Sequence, residues 1–240
     1  MPTLVLLGSP VLADDADAVV TGRPAQRHCL ALLALLAGER RGLARERAVS
    51  YLWPECGPPA ARHRLSVALH VLRSRLGDGV IGSRSDGLFL NSTAWRVDAW
   101  SFEDDVATGN FESALARYGG PLLDGFFLRY APDFERWLER WRDRLARRHL
   151  AVLNGLAAEA ESVGKAEVCI EYRRELAAHE PCSGASTVAL MRSLSAAGRS
   201  DEAIRCARAY TLLIREDYGL EPDPAVLASV AALTRLPIAD

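Results

Sequence analysis

The stretch ARHRLSVALHVLRSRLGDG, residues 60–79, concentrates side chains that can contact a polyanion on a single helical period. Stepping about 100° per residue from Leu65 puts Ala61, Leu65, Ala68, Leu69, Leu72 and Leu76 on one face. The far side carries His63, Val67, His70, Val71 and Ser74. Arg62 and Arg73 flank it on one edge, Arg64 and Arg75 on the other. A helix seated in the DNA major groove needs short or flat side chains that approach base edges, with arginines outside them for phosphates. In that role Val67 or Val71 meets a thymine methyl, and His63, His70 or Ser74 hydrogen-bonds a base or a phosphate. Arg62, Arg64 and Arg73 hold phosphates. Two further contacts are expected from the neighbours: Arg45 or Arg47 on the preceding helix, and Arg84 at the tip of the hairpin that follows. Protonation of His63 and His70 in mild acid would add positive charge beside phosphate.

Other chemistry is poorly represented. The sequence contains no G-x-x-x-x-G-K-[ST], H-E-x-x-H or G-x-S-x-G pattern, so no catalytic, cofactor-binding or metal-binding residue is assigned and an enzyme is not expected. The five histidines are dispersed along the chain, and His28 beside Cys29 reads as a surface or capping residue. Asp14, Asp15 and Asp17 read as a solvated turn. Glu135 and Glu139, interleaved with Arg136 and Arg140, belong to a charge-laced helix with Trp137 and Trp141 inward. The five cysteines form no C-x-x-C pair, which fits a reducing cytoplasm. The longest strongly apolar run, CLALLALLAG, is far shorter than the roughly 20 residues of a bilayer span, so no membrane partner is expected.

Net charge over the 240 residues is −2, but the charge is unevenly placed. From Arg23 to Arg84 eleven arginines face four carboxylates, a net +7, whereas from Val106 onward 17 basic residues meet 19 acidic ones. The positive field lies around the arginine-flanked helix, as expected for a nucleic-acid partner.

The elements that must position that helix follow from pattern and punctuation. TLVLLGSPVLADDADAVV predicts two or three short strands. A helix apolar nearly all round follows from about Pro24 to Gly38. A second spans LARERAVSYLW, with Leu43, Ala48, Val49, Leu52 and Trp53 inward, and Pro54 ends it. After the arginine-flanked helix, VIGSRSDGLFL predicts a hairpin, the wing at 82–87. The back half is helical. GNFESAL at Gly109, GKAEVCI at Gly164 and GRSDEAI at Gly198 share one form, a Gly followed five residues later by a small residue where two helices meet. The last two lie 34 residues apart, the tetratricopeptide period. The expected fold is mainly α: an N-terminal α+β winged helix-turn-helix over 1–103, then an all-α tetratricopeptide-like domain over 104–240.

In order and spacing, GRPAQRHCLALLALLA, LARERAVSYLWPE, ARHRLSVALHVLRSRLG, DGLFLN and VDAWSFE resemble the winged-helix domain of SARP-type (antibiotic regulatory protein) transcriptional activators. ALARYGGPLLDGFF, FERWLERWRDRL and the segment from ALMRSLSAAG through Tyr218-Gly219-Leu220-Glu221-Pro222-Asp223-Pro224 resemble the bacterial transcriptional activator domain that follows it. The resemblance covers residues 3 to about 235. It implies binding to double-stranded DNA at promoters, recruitment of RNA polymerase holoenzyme and a homodimer on repeated sites. The chain departs from the family at LHVLRSRLG, where His70 and Val71 stand in place of a Ser and an Arg that commonly reaches bases or phosphates. The rival reading is a tetratricopeptide-like interaction scaffold whose winged helix no longer reads DNA. Salt-sensitive duplex binding separates the two.

Overall fold

The computed structural model describes residues 1–84 and 87–235 and divides into two compact units, Met1–Arg148 and His149–Asp240. As expected, it is mainly helical with a small N-terminal sheet region.

In the first unit β1 (Thr3–Val5) pairs antiparallel with β2 (Val11–Ala13) and parallel with β6 (Arg96–Val97). The Asp14–Asp17 segment is the turn it was expected to be. Asp14 accepts from the Ala16 and Ala18 amides, and the three carboxylates turn to separate cations: Asp14 to Arg75, Asp15 to the chain's amino terminus and Asp17 to Arg96. Helix α1 (Arg27–Gly38) is preceded by a 3-10 turn at Arg23–Ala25, so the α-helix begins three residues later than Pro24 suggests. Its residues Ala31 to Ala37 are all buried, in keeping with an apolar surface on every side.

The second helix also starts later than its apolar pattern indicates. Leu43–Ala44 forms a two-residue strand, β3, paired with β5 (Gly87–Leu90), and α2 runs Arg45–Leu52. Val49 is only half-buried. Helix α3 spans Pro58–Leu76, with Pro in the first turn where no amide is required, and Gly77 (φ +104°) ends it. β4 (Ile81–Arg84) pairs antiparallel with β5, so the order in this sheet is β3-β5-β4. Two tryptophans pin the base of the hairpin and α1: Trp95 Nε1 donates to the Val80 carbonyl at 2.9 Å, and Trp100 Nε1 to the Ala37 carbonyl at 2.8 Å.

Helix α4 (Asp98–Thr108) opens on a carboxylate that does more than cap it. Asp98 accepts from the Ala99 amide at 2.7 Å and from the Leu6 and Leu7 amides at 2.8–2.9 Å, tying the end of β1 to the helix. Burial raises its pKa, and these amide hydrogen bonds pull the other way. Helix α5 (Phe111–Arg117) leads to a loop that Arg142 of α6 (Pro132–Ser162) holds by donating to the carbonyls of Leu122, Leu123 and Phe126 at 2.8, 2.7 and 3.2 Å. Trp137 and Trp141 are buried as expected, while Tyr130, Arg136 and Arg140 are exposed.

In the second unit α7 (Ala166–His179), α8 (Gly184–Ala196) and α9 (Ser200–Glu216) pack consecutively, and α10 (Pro224–Arg235) closes on α8 and α9. The three glycines of the sequence repeat share one geometry. Gly109, Gly164 and Gly198 have φ of +78°, +72° and +75°. In each case the Gly amide donates three residues back, and the next amide donates five back: Asn110 to Asp105, Lys165 to Ala160 and Arg199 to Leu194. This double closure is the Schellman ending that a left-handed residue permits. Five residues on, Ala114, Cys169 and Ala203 are buried to 2% exposure or less, so two helices approach where a larger side chain would separate them.

The GLEPDP ending is similar punctuation. Gly219 (φ +63°) stops α9, the Asp223 carboxylate caps the Ala225 amide at 2.8 Å, and Pro224 opens α10. The expected scatter of histidines needs one correction. His149 and His179, from different helices of this unit, lie with ring centroids 5.3 Å apart. Among the described residues no helix is long and apolar enough to cross a membrane, and all five cysteines are free thiols.

Candidate nucleic-acid interface

Helix α3 buries the face that its periodicity selects. Ala61, Leu65, Ala68, Leu69, Leu72 and Leu76 are all 8% exposed or less, and removing their apolar surface from water, worth about 25 cal/mol per Å², fixes the rotation of the helix. The opposite arc is open. His63, Val67, His70 and Ser74 are exposed, as are Arg62 and Arg64 on its edges. Ser66 joins this strip, its hydroxyl donating to the Arg62 carbonyl at 3.0 Å. The helical period reveals it, since Ser66 falls about 40° from His70.

Val71, in the position where the family Arg was expected, is half-buried and turns toward a groove shared with Gln26, His28, Trp53 and Val67. The N-cap of α1 is Gln26, and His28 is half-buried. Its ring stacks on Trp53 with centroids 5.3 Å apart and planes within 4°, and burial lowers its pKa. Neighbouring Cys29 is buried, and burial pushes its thiol up to about 11, far from the thiolate that a reactive Cys–His pair requires.

The arginines divide into two groups by what they touch. Arg62 and Arg64 lie over exposed carboxylates, Glu46 at 3.8 Å and Glu55 at 3.4 Å, and Arg75 meets Asp14 at 3.1 Å. The Arg62 and Arg64 pairs are solvent-exposed and worth about 0–1 kcal/mol, so a phosphate can displace the carboxylate cheaply. Arg73 is engaged differently. Its Nε and Nη2 both donate to the Ile81 carbonyl, at 3.3 and 2.9 Å, and the side chain is half-buried. It ties the last turns of α3 to the first residue of the hairpin. Local spacing gave no sign of this, because the partner is a backbone oxygen on another element.

The flanking contacts also separate. Arg45 Nη2 donates to Ser83 Oγ at 3.3 Å, which joins the start of α2 to β4. Arg47 instead donates to the Tyr51 hydroxyl at 3.0 Å, lies 4.0 Å from Glu39, and lines a groove with Trp137 and Trp141 of α6. The structure therefore groups Arg45 with the hairpin and Arg47 with α6.

On the hairpin Ile81 and Ser83 oppose Leu90 and Leu88, while Gly82 opposes Phe89. The Phe89 ring covers Gly82 so closely that a Cβ there would lie 2.3 Å from its Cζ. Arg84 stands exposed with its guanidinium 5.4 Å from the Phe89 ring centroid. Of the wing at 82–87, Ser85 and Asp86 lie outside the described residues.

The described residues thus assemble a helix, a turn, a second helix with an open strip of small and flat side chains, and a hairpin bearing Ser83 and Arg84. Comparison with known proteins bears on the fold and the family. No curated protein matches the sequence. A solved structure, Mycobacterium tuberculosis EmbR in complex with a low-affinity phosphopeptide, matches with a TM-score of 0.71 at 22% identity. The match covers 100% of this chain but spans 66% of the other, and it shows the fold. The family described as bacterial transcriptional activator domain matches residues 97–233. The chain belongs to that family, the one implied by the resemblance to SARP-type activators.

Proposed function

We propose that the protein is a transcriptional regulator that binds double-stranded DNA by laying the outer strip of α3 in the major groove, within a DNA-binding domain over 1–103. The observation that carries this reading is the strip itself: His63, Ser66, Val67, His70 and Ser74 are open to solvent, with Arg62 and Arg64 at its edges. Short side chains there let the helix approach base edges, and the two arginines exchange Glu46 and Glu55 for phosphates. Val67 supplies an apolar contact, and His63, His70, Ser66 and Ser74 supply hydrogen bonds. Arg45, bonded to Ser83, and Arg84 extend the basic surface onto the hairpin. Arg73 positions the hairpin relative to α3, so its effect on binding runs through geometry.

The helical domain over 104–240 supplies the contact to RNA polymerase holoenzyme and the homodimer interface in this reading. The family membership supports such a role. The cytoplasm is where both partners reside.

Binding of a labelled random-sequence duplex, titrated across ionic strength, tests the proposal. Affinity falls steeply with salt, and Arg62→Ala with Arg64→Ala lowers the slope by about 1.8, since each phosphate contact contributes about 0.9. Absent or salt-independent binding would contradict it and favour the scaffold reading.

A further inference from the structure

We propose that His149, Glu175 and His179 form a mononuclear site for a divalent transition ion of the zinc class, bridging α6 and α7 within the second unit. Glu175 and His179 stand four residues apart on α7, so both side chains leave the same face of that helix. His149 faces them from α6. One donor atom from each of the three lies within 4.8 Å of the others, and His149 Nε2 is 3.5 Å from a Glu175 carboxylate oxygen. Donors at about 2.0–2.1 Å from zinc sit about 3.3 Å apart in a tetrahedron, so this first pair is already at ligand spacing. His179 is exposed, with its ring edge-on to His149.

The donor set has a recognisable chemistry. Two imidazoles and one carboxylate suit zinc and its neighbours over calcium or magnesium, and they leave a position for water. His149 is 3% exposed, and among the described residues Thr187 is the only other buried polar or charged residue. A bound ion would join α6 and α7 through these three side chains.

The test uses the full chain without an affinity tag. Cobalt(II) is added as a spectroscopic probe, and thermal unfolding is followed with and without zinc. One equivalent of cobalt is expected to give ligand-field absorption of a nitrogen–oxygen site, with no thiolate charge-transfer band. Zinc at about 100 times its Kd is expected to raise Tm by roughly 5–10 °C. His179→Ala and Glu175→Ala should lose both responses while keeping the metal-free Tm. His179→Cys is a second, gain-of-signal variant, which should add a thiolate-to-cobalt band that places the ion at this residue. Absence of both responses in the unaltered chain would overturn the proposal. So would a thiolate band in the unaltered chain, binding that persists in the alanine variants, or no new band from His179→Cys.

Discussion

The outer strip of α3 and the glycine hinges of the helical region both arise from helical periodicity, yet they use it in opposite ways. At the hinges the periodic signal points inward: Ala114, Cys169 and Ala203 are small because two helices meet over them, and the Gly before each is left-handed because the chain must reverse there. On α3 the informative residues point outward. The leucines only hold the helix, and what distinguishes this face from an ordinary solvated one is its contents, short residues in the middle with arginines at the edge. A hinge is therefore defined by what it excludes, a recognition face by what it offers. Substitutions in the first should change stability and leave binding alone, and those in the second should do the reverse.

The largest effects are expected at the hinges. Ala203→Leu forces α8 and α9 apart at a fully buried position, and overpacking of this kind costs about 1–3 kcal/mol. Chemical denaturation should show the loss, with duplex affinity unchanged where the chain remains folded. Gly184→Ala acts by the same means, because a Cβ there would lie 2.4 Å from the Asp223 Cβ and displace the cap of α10. A cost of about 1–2 kcal/mol is expected, in line with losing a cap. Gly198→Ala places a Cβ at φ +75° and should cost about 1–2 kcal/mol.

Substitutions on the outer strip of α3 should leave the denaturation midpoint where it is. Val67→Ala is expected to change which base pair is preferred at one position by about 1 kcal/mol of discrimination, read from binding to a panel of single-position duplex variants. The smallest effect belongs to the carboxylates. Glu46→Gln and Glu55→Gln free Arg62 and Arg64 from their exposed partners, and a tightening of a few-fold in low salt is expected from pairs worth about 0–1 kcal/mol. If they weaken binding, Arg62 and Arg64 do not meet phosphate.

Much of this was legible in the sequence, and the limits of legibility are physical. The buried face of α3, the inward tryptophans of α6 and the hinge glycines are set by neighbours within a turn or two, and spacing shows them directly. β3 and β6 escaped notice because two residues carry no period. Leu43–Ala44 is a strand only through its pairing with Leu88 and Gly87, and Arg96–Val97 only through Thr3 and Leu4. Arg73 looked like its exposed neighbours because nothing local shows that the Ile81 carbonyl will lie beneath it. The approach of His149 to His179 was hidden for the same reason. Thirty positions separate them, and the only local trace was the four-residue step from Glu175 to His179.

The central claim is that the outer strip of α3 reads DNA sequence. The most direct measurement is selection from a random duplex library by the purified chain, and by a variant carrying Val67→Ala and His70→Ala, at low and at near-physiological salt. The account predicts one short enriched site that survives the higher salt with the unaltered chain and is lost or changed with the variant. Retention only at low salt, or the same site from both proteins, would contradict it.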